Sequence, residues 1–389
     1  MSMDAGIYIV GYAETPVVHA SGRSAYELAG EAFAQLLQRT GFDKNRIDGF
    51  CATAALSEAT NPFHTAYLAE ILGLEVDWLQ TSSMGGSSFL SGVAAAAHAI
   101  RAGQCSAAMV LGADAPSTEN SSEYRGYRAE FQNPTGLVRP LGAFGLLQNI
   151  YQSRHGDPGE ALARIVVTQR RNALLNEHAC TKLKRPLTVD DYRHARLVSD
   201  PLRLLDSVMF CDGANAILMM DERTANRHGF VKGVRIASYA ERTNHRATDP
   251  TPDPLSTGFE IAGPRALSQA GLRTGDLDML QLYDDFSIAL LLQLEQIGFC
   301  AEGQGADFVM SHDFGPQGDL PINTGGGQLS VGQPGLAAGG LSLVEAVRQM
   351  YGEAGSLQVS GVSNCLVTGI GGIPHARNWM MSNAMVLVK

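Results

Sequence analysis

The residues best suited to proton transfer in this sequence stand together in the run Tyr283-Asp284-Asp285-Phe286. The apolar stretch before them, residues 277–282, predicts a buried strand, so the run falls at a strand end. The phenol of Tyr283 has a solution pKa of about 10 and needs a neighbouring acceptor to work as a base. Two alternatives follow: Tyr283 is the base with help from Asp285, or Asp285 is the base and Tyr283 donates. Asp284 is expected to cap the helix that begins near Phe286.

A turn of small residues, 82–87, leads into an apolar stretch that predicts a helix. Ser83 in this turn is a poor nucleophile unless a base lies within hydrogen-bond reach. Its backbone N–H, at the start of the predicted helix, can instead hold a negatively charged oxygen. The glycine turn at residues 369–372, which contains Gly371, can supply a second backbone donor.

Composition bounds the class of protein. The chain has 389 residues, 45% hydrophobic and 17% charged, which is typical of a globular protein with two core-bearing units. The formal net charge of −10 argues against general nucleic-acid binding. There is no apolar run of membrane-spanning length and no N-terminal signal pattern, so we expect a cytoplasmic protein with no membrane association. Six scattered cysteines predict reduced thiols and no metal site.

The elements that must position these residues follow a repeated pattern. The strand predicted at residues 6–15 resembles the strand predicted at 233–243, and each precedes a helix and a second strand. The first helix begins with the capping box Ser24 and Glu27 and ends at Gly41. Two further pairs follow in the same order. One matches the helices predicted after Gly85-Gly86 and after Gly339-Gly340, and the other matches the strands predicted at residues 107–112 and 365–369.

Four ordered matches predict a duplicated α/β unit. We assign residues 1–230 to an N-terminal half, with an inserted loop domain at about 117–200, and residues 231–389 to a C-terminal half. Because the strands are apolar throughout and alternate with helices, we expect mostly parallel sheets that are covered on both faces.

Several strings in this order resemble the thiolase superfamily, in its branch of sterol-carrier-protein-x type. They are Asp200–Asp206, Cys211–Ala216, Tyr283–Phe286, Leu294–Gly303, Asn323–Gly327, Gly332–Pro334 and Thr368–Gly372. The resemblance covers nearly the whole chain and implies a five-layered αβαβα fold built from two duplicated βαβαβ halves. The string Tyr-Asp-x-Phe resembles the steroid side-chain retro-aldolases of this superfamily, in which the tyrosine is an acid/base residue.

Compared with the family pattern, the nucleophilic machinery is replaced. Ser83 stands where thiolases carry their cysteine, Gln333 replaces the activating histidine, and Tyr283 replaces the histidine of His-Asp-Cys-Phe. The resemblance therefore implies a reaction without an acyl-enzyme, namely retro-aldol cleavage of a β-hydroxyacyl-CoA through a stabilised thioester enolate. Ser83, Gly371 and Gln333 would supply hydrogen-bond donors, and Asn323 would orient a carbonyl or a water.

Two alternatives stay open at this point: a thiolase-type acyltransferase, and a non-catalytic subunit that binds acyl-CoA within a complex. The resemblance also implies partners. Coenzyme A enters as part of the substrate, and no other cofactor is expected. We expect a homodimer that joins a small OB-fold protein bearing a zinc ribbon in a heterotetramer, with the zinc in that partner. Basic residues of the inserted segment would bind the CoA phosphates, unless they form only a solvated helix face: Arg170, Arg171, Lys182, Lys184 and Arg185.

Overall fold

The structure is a computed structural model that describes residues 6–119, 130, 133–137, 139–231, 233–372 and 379–389. Its strands are β1 Ile7–Glu14, β2 Gly49–Thr53, β3 Trp78–Ser82, β4 Ala107–Asp114, β5 Leu197–Ser199, β6 Leu202–Arg203, β7 Gly213–Asp221, β8 Val234–Thr243, β9 Leu280–Gln281, β10 Asn364–Ile370 and β11 Met381–Val388. Its helices are α1 Ala25–Thr40, α2 His64–Leu72, α3 Ser88–Arg101, α4 Arg139–His155, α5 Gly159–Leu175, α6 Val189–Arg193, α7 Glu222–Arg227, α8 Phe259–Ala270, α9 Ser287–Ile297, α10 Gly305–Ser311, α11 Gly327–Val331 and α12 Gly339–Tyr351.

One large mixed sheet runs in the order β3-β2-β4-β7-β1-β8-β11-β10-β9. The strand β2 is parallel to β3 and β4, and β9 is parallel to β10, whereas the other neighbouring strands in this sheet are antiparallel. The prediction of mostly parallel sheets is therefore wrong. Continuous apolar strands show only that both faces are covered, and they carry no information on strand direction.

The two halves of the sheet are joined by a short contact. Strands β1 and β8 share only two register pairs, Tyr8 with Arg235 and Ile9 with Val234. The two halves contact each other mainly through a common core, which contains strand residues from both.

The hydrophobic core has three main parts that define layers. The central part contains Phe89 and Val93 of α3, Val344 and Val347 of α12, and strand residues from both halves of the sheet. A second part packs α1 and α2 on the outer face of the first half, and a third packs α8 and α9 on the outer face of the second half. Burying an apolar face on both sides of each half-sheet requires these helix layers. The predicted five-layered αβαβα fold is confirmed.

Local signals in the sequence also match the helix ends. The side chain of Ser24 accepts from the N–H of Glu27 and the Glu27 side chain accepts from the N–H of Ser24, so α1 begins with the predicted capping box. Gly41 and Gly271 end their helices at φ values of 64° and 71°, which favour glycine. The division at residues 230/231 stays a prediction, and part of the inserted segment lies outside the described residues.

No helix in the described ranges is long and apolar enough to cross a membrane.

Candidate active site

Tyr283 lies two residues after the end of β9 and is only 3% exposed. Its backbone N–H donates to Oγ1 of Thr368 on β10 (2.9 Å), and its carbonyl oxygen accepts from Nε2 of Gln293 on α9 (2.7 Å). The Thr368 hydroxyl in turn donates to Oε1 of Gln293 (2.6 Å). These three bonds fix the backbone of Tyr283 between β10 and α9, and this sets the direction in which the phenol projects.

The phenol hydroxyl of Tyr283 reaches the turn before α3. A methyl group built on Gly86 would overlap with Oη of Tyr283 and would stand 2.7 Å from the carbonyl oxygen of Ile370. Nε2 of Gln333 donates to the same hydroxyl over 3.4 Å. The structure thus brings together the turn at 82–87, the end of β9 and the segment around Gln333, as the sequence resemblance implies.

Asp285 is partly buried beside Tyr283, and its Oδ1 has no hydrogen-bond partner among the described residues. Burial raises the pKa of Asp285 to about 7. Burial, and secondly the charge of Asp285, raises the pKa of Tyr283 well above 10. At neutral pH the phenol therefore keeps its proton, whereas the carboxyl group can gain or lose one.

Asp284 has a different position from the one predicted. It is fully buried, and its carboxylate accepts from the backbone N–H of Gln328 (2.8 Å) and of Leu329 (3.4 Å), at the start of α11. It therefore caps α11 and not α9, which begins after Phe286 without a side-chain cap. Burial raises the pKa of Asp284 to about 8, although the two N–H donors oppose this shift.

Two buried glutamines lie next to Tyr283. Gln333 is held by its backbone, whose N–H donates to Met209 (2.9 Å) and whose carbonyl oxygen accepts from Cys211 (2.9 Å). Its Nε2 also donates to Oε1 of Gln328 (3.2 Å). Gln328 was not identified from the sequence. The only signal for it there is a polar residue that directly follows the glycines at 325–327.

The two predicted backbone donors are not placed as expected. Ser83 is exposed, and α3 begins at Ser88, so the amide of Ser83 does not lie at a helix N-terminus. The N–H of Gly371 already donates to the carbonyl oxygen of Met381 (2.8 Å). The Gly371 prediction took a glycine turn for an open set of donors, whereas backbone N–H groups in a folded chain are mostly paired. The Ser83 prediction placed the start of the helix too early.

Asn323 also differs from its predicted role. Its Oδ1 accepts from the N–H of Leu282 (2.8 Å), and its Nδ2 donates to the carbonyl oxygen of the same residue (2.9 Å). Both ends of the amide are therefore used on the residue before Tyr283. Asn323 positions that strand end, and its amide is not directed at a substrate.

The basic residues of the inserted segment do not form one surface. Arg170 is 5% exposed and donates to Oγ of Ser330 on α11 (3.2 Å) and to the carbonyl oxygen of Arg185 (3.3 Å), so its predicted role as a surface phosphate ligand is wrong. Arg171 is exposed, with Nη2 3.8 Å from Oδ1 of Asp313. The side chains of Arg171, Lys182 and Arg185 are exposed, and that of Lys184 is half-buried. Their role in CoA binding stays a prediction.

In the described ranges, no group of three or more histidine, cysteine, aspartate or glutamate side chains is arranged to hold a metal ion.

Comparison with known proteins extends this description. A family model described as "Thiolase C-terminal domain-like" matches residues 240–384. The 17-hydroxy-3-oxo-4-pregnene-20-carboxyl-CoA lyase of Mycobacterium tuberculosis is 28% identical, over 94% of this chain and 96% of that protein. A steroid side-chain-cleaving aldolase of Thermomonospora curvata is 27% identical, over 94% of this chain and 95% of that protein.

Solved structures agree with these relatives. The "Ltp2-ChsH2(DUF35) aldolase" superposes with a TM-score of 0.83 at 25% identity and covers 98% of this chain and 97% of that chain. A monomeric SCP2-thiolase-like protein from Mycobacterium smegmatis has a TM-score of 0.74 at 21% identity, over 98% of this chain and 77% of that chain, and this second likeness concerns the fold alone. The family model, the relatives and the first of these structures together support a place for this chain in the thiolase superfamily, in the branch of sterol-carrier-protein-x type and beside its steroid side-chain-cleaving aldolases.

Proposed function

We propose that this chain is a carbon–carbon lyase that cleaves a β-hydroxyacyl-CoA of the steroid side-chain type by a retro-aldol reaction. The products are a shortened acyl-CoA and a ketone or aldehyde. The observation that carries the proposal is the pair of buried Tyr283 and partly buried Asp285, a protonated phenol beside a carboxyl group of pKa about 7 whose Oδ1 has no partner among the described residues. The relatives named as a CoA-ester lyase and a steroid side-chain-cleaving aldolase support the same reaction.

In this mechanism Asp285 is the base and Tyr283 is the donor that holds the β-oxygen. Asp285 takes the proton of the β-hydroxyl group, whose O–H electron pair forms the carbonyl bond of the departing ketone or aldehyde. The Cα–Cβ bond breaks, and its electron pair forms the enolate of the remaining thioester. The proton on Asp285 then returns to Cα, so the reaction balances without any other reactant.

The alternative of a thiolase-type acyltransferase needs an activated nucleophile. Ser83 is exposed, and Gln333, which replaces the family's histidine, cannot act as a base because its amide nitrogen carries no available lone pair. Treatment with iodoacetamide tests this alternative, and inactivation through modification of a single cysteine would support it.

The direct experiment is turnover of 17-hydroxy-3-oxo-4-pregnene-20-carboxyl-CoA, with the acyl-CoA and ketone products measured by mass spectrometry. We expect Tyr283→Phe to lower turnover by about 100-fold or more, because general acid–base groups contribute at least this much. The dissociation constant of a CoA ester should change little, since the ring remains and only the hydroxyl is lost.

The matched control is Tyr151→Phe, which removes a hydroxyl that donates to Oε1 of Glu295 (2.6 Å) in another part of the core. This variant should keep wild-type turnover even if it unfolds at a lower temperature. Wild-type turnover by Tyr283→Phe would remove Tyr283 from the mechanism. An absence of turnover of both β-hydroxyacyl-CoA and β-ketoacyl-CoA, with and without a partner protein, would favour the non-catalytic alternative.

The proposal includes the assembly and location of the protein. CoA enters as part of the substrate, with Arg171, Lys182, Lys184 and Arg185 as candidates for its phosphates. A small OB-fold, zinc-ribbon partner in a heterotetramer is supported by the similarity to a structure named after two components, Ltp2 and ChsH2(DUF35). We place the protein in the cytoplasm. Co-purification with a small zinc-containing protein is the test of the partner.

A further inference from the structure

Retro-aldol cleavage leaves a negative charge on the thioester oxygen, so the site needs hydrogen-bond donors for that oxygen. The two backbone donors expected from the sequence are not placed for this task. The amide of Ser83 lies outside a helix N-terminus, and the N–H of Gly371 is paired with Met381. A buried side-chain N–H without a partner at the site is therefore the candidate donor.

Gln328 has this property. Its side chain is fully buried, and its Nε2 makes no hydrogen bond of ordinary length to a described residue. The amide is nevertheless near enough to the Tyr283 hydroxyl to oppose the rise in the pKa of that phenol, so Nε2 faces the site. Buried side-chain N–H groups without a partner are rare because they lose their bonds to water and gain none in return. A free, buried amide N–H beside reacting groups therefore indicates an acceptor that arrives with the substrate.

The position of Gln328 is fixed at both ends. Its backbone N–H donates to Oδ1 of Asp284 (2.8 Å), and its Oε1 accepts from Nε2 of Gln333 (3.2 Å). The same Nε2 of Gln333 reaches the hydroxyl of Tyr283 over 3.4 Å. Because Oε1 is engaged with Gln333, the amide of Gln328 presents Nε2 as its free end within the Tyr283 site.

We propose that Gln328 is a catalytic residue whose Nε2–H donates to the thioester oxygen and stabilises the enolate. This inference rests on the proposed function. An amide suits the task because it donates without itself giving up a proton at neutral pH. The amide therefore does not protonate the enolate, and the proton that returns to Cα is the one held by Asp285.

Two substitutions distinguish the effect of losing the Nε2–H donor from the effect of losing the contact with Gln333. Gln328→Glu keeps an acceptor oxygen for Gln333 but removes the N–H, and Gln328→Met removes both groups at similar volume. Two reactions are measured: cleavage of the β-hydroxyacyl-CoA, and exchange of the α-hydrogens of propionyl-CoA with D2O, which reports enolate formation alone. We expect both variants to lose about 100-fold or more in both reactions, the loss typical of one missing oxyanion donor, with little change in the dissociation constant of propionyl-CoA.

The control is Gln349→Met in α12. Gln349 is also fully buried, and its Nε2 donates to Thr324 (3.2 Å), Glu345 (2.9 Å) and Leu357 (2.7 Å). This variant should lower the unfolding temperature but leave exchange unchanged. If Gln328→Met does not fold, Gln328→Glu decides, because it keeps the bond to Gln333.

Exchange at the wild-type rate in a folded Gln328 variant, or no exchange in the wild-type enzyme, overturns the inference. If the wild-type enzyme cleaves no β-hydroxyacyl-CoA but its exchange depends on Gln328, the proposed function fails and the enolate donor stands. If cleavage occurs and neither reaction depends on Gln328, this inference alone fails.

Discussion

At the scale of single residues, the protonation states of Tyr283 and Asp285 decide which of them can act as the base. Burial keeps the Tyr283 phenol protonated, and it brings the pKa of Asp285 to about 7, so the carboxylate is the group that changes its charge near neutral pH. The sequence could place the two residues together but could not choose the base. That choice depends on how much water each group loses in the folded chain, which only the packing around it decides.

Asp285→Asn is the prediction that belongs to this scale. Wild-type kcat/KM should fall as the pH drops below about 7, since protonated Asp285 cannot accept the substrate proton. The variant should lose about 100-fold or more in kcat/KM. Its residual kcat/KM should not show the fall below about pH 7. Asp307→Asn, at an exposed carboxylate on α10, is the control and should keep the wild-type profile.

The same variant should change stability with a defined sign. The folded-state pKa of Asp285 lies above that of an unfolded aspartate, about 3.9, so the folded chain binds this proton more tightly. The wild-type protein therefore loses stability as the pH rises from about 4 to about 7. Thermal unfolding should show Asp285→Asn to be more stable than the wild type at pH 8, with the two converging near pH 4. Equal unfolding temperatures at pH 8 would contradict a buried carboxylate.

At the scale of elements, the site is made by close approach of three backbone segments. The turn before α3 contacts the end of β9 at Gly86, and α11 is tied to β9 through Asp284. The sequence marked the turn, the strand end and the glycine-rich segment as separate motifs. It did not show α11 or its cap, because the helix has only five residues and its cap comes from a residue more than forty positions earlier.

Gly86→Ala tests this close approach. The added methyl group would overlap with Oη of Tyr283, so the phenol must move, and we expect a large loss of turnover together with about 1–3 kcal/mol of stability. Gly30→Ala in α1 is the matched control, since a methyl group there meets no atom within 4 Å. It should keep full turnover and gain up to about 1 kcal/mol, because alanine favours a helix. Turnover and chemical denaturation measure both effects, and full activity in Gly86→Ala would show that Tyr283 does not need its position against the turn.

At the scale of the whole molecule, one edge of the large sheet is open. Strand β3 ends the sheet with exposed residues, and Leu79 on it is 45% exposed. Beside it, Phe63 at the N-cap of α2 and Tyr67 and Ile71 on α2 are 46–60% exposed. An exposed sheet edge with adjoining apolar side chains is typical of a protein–protein contact. This surface supports the proposed homodimer through β3 and α2.

The double substitution Leu79→Lys with Ile71→Lys should weaken that dimer by about 2 kcal/mol or more, because charges would face each other across an apolar contact. Light scattering over a dilution series measures the change. Met310→Lys, at an equally exposed apolar residue on α10, should leave the assembly unchanged. A wild-type protein that is monomeric at high concentration would refute the homodimer, and a dimer insensitive to the double substitution would place its interface elsewhere.

The amino-acid sequence by itself marked the main strands and helices of the two halves and the caps of α1. Through the family resemblance it also showed the replacement of the nucleophilic cysteine by Ser83 and of two histidines by Gln333 and Tyr283. These follow from local propensity, apolar pattern and motif order, which a linear chain displays directly. Only the tertiary structure decided which polar groups are free. Gly371 and Asn323 use their hydrogen bonds on Met381 and Leu282, whereas Nε2 of Gln328 has no hydrogen-bond partner among the described residues. Pairing between separate segments of the chain depends on packing, and no local pattern encodes it.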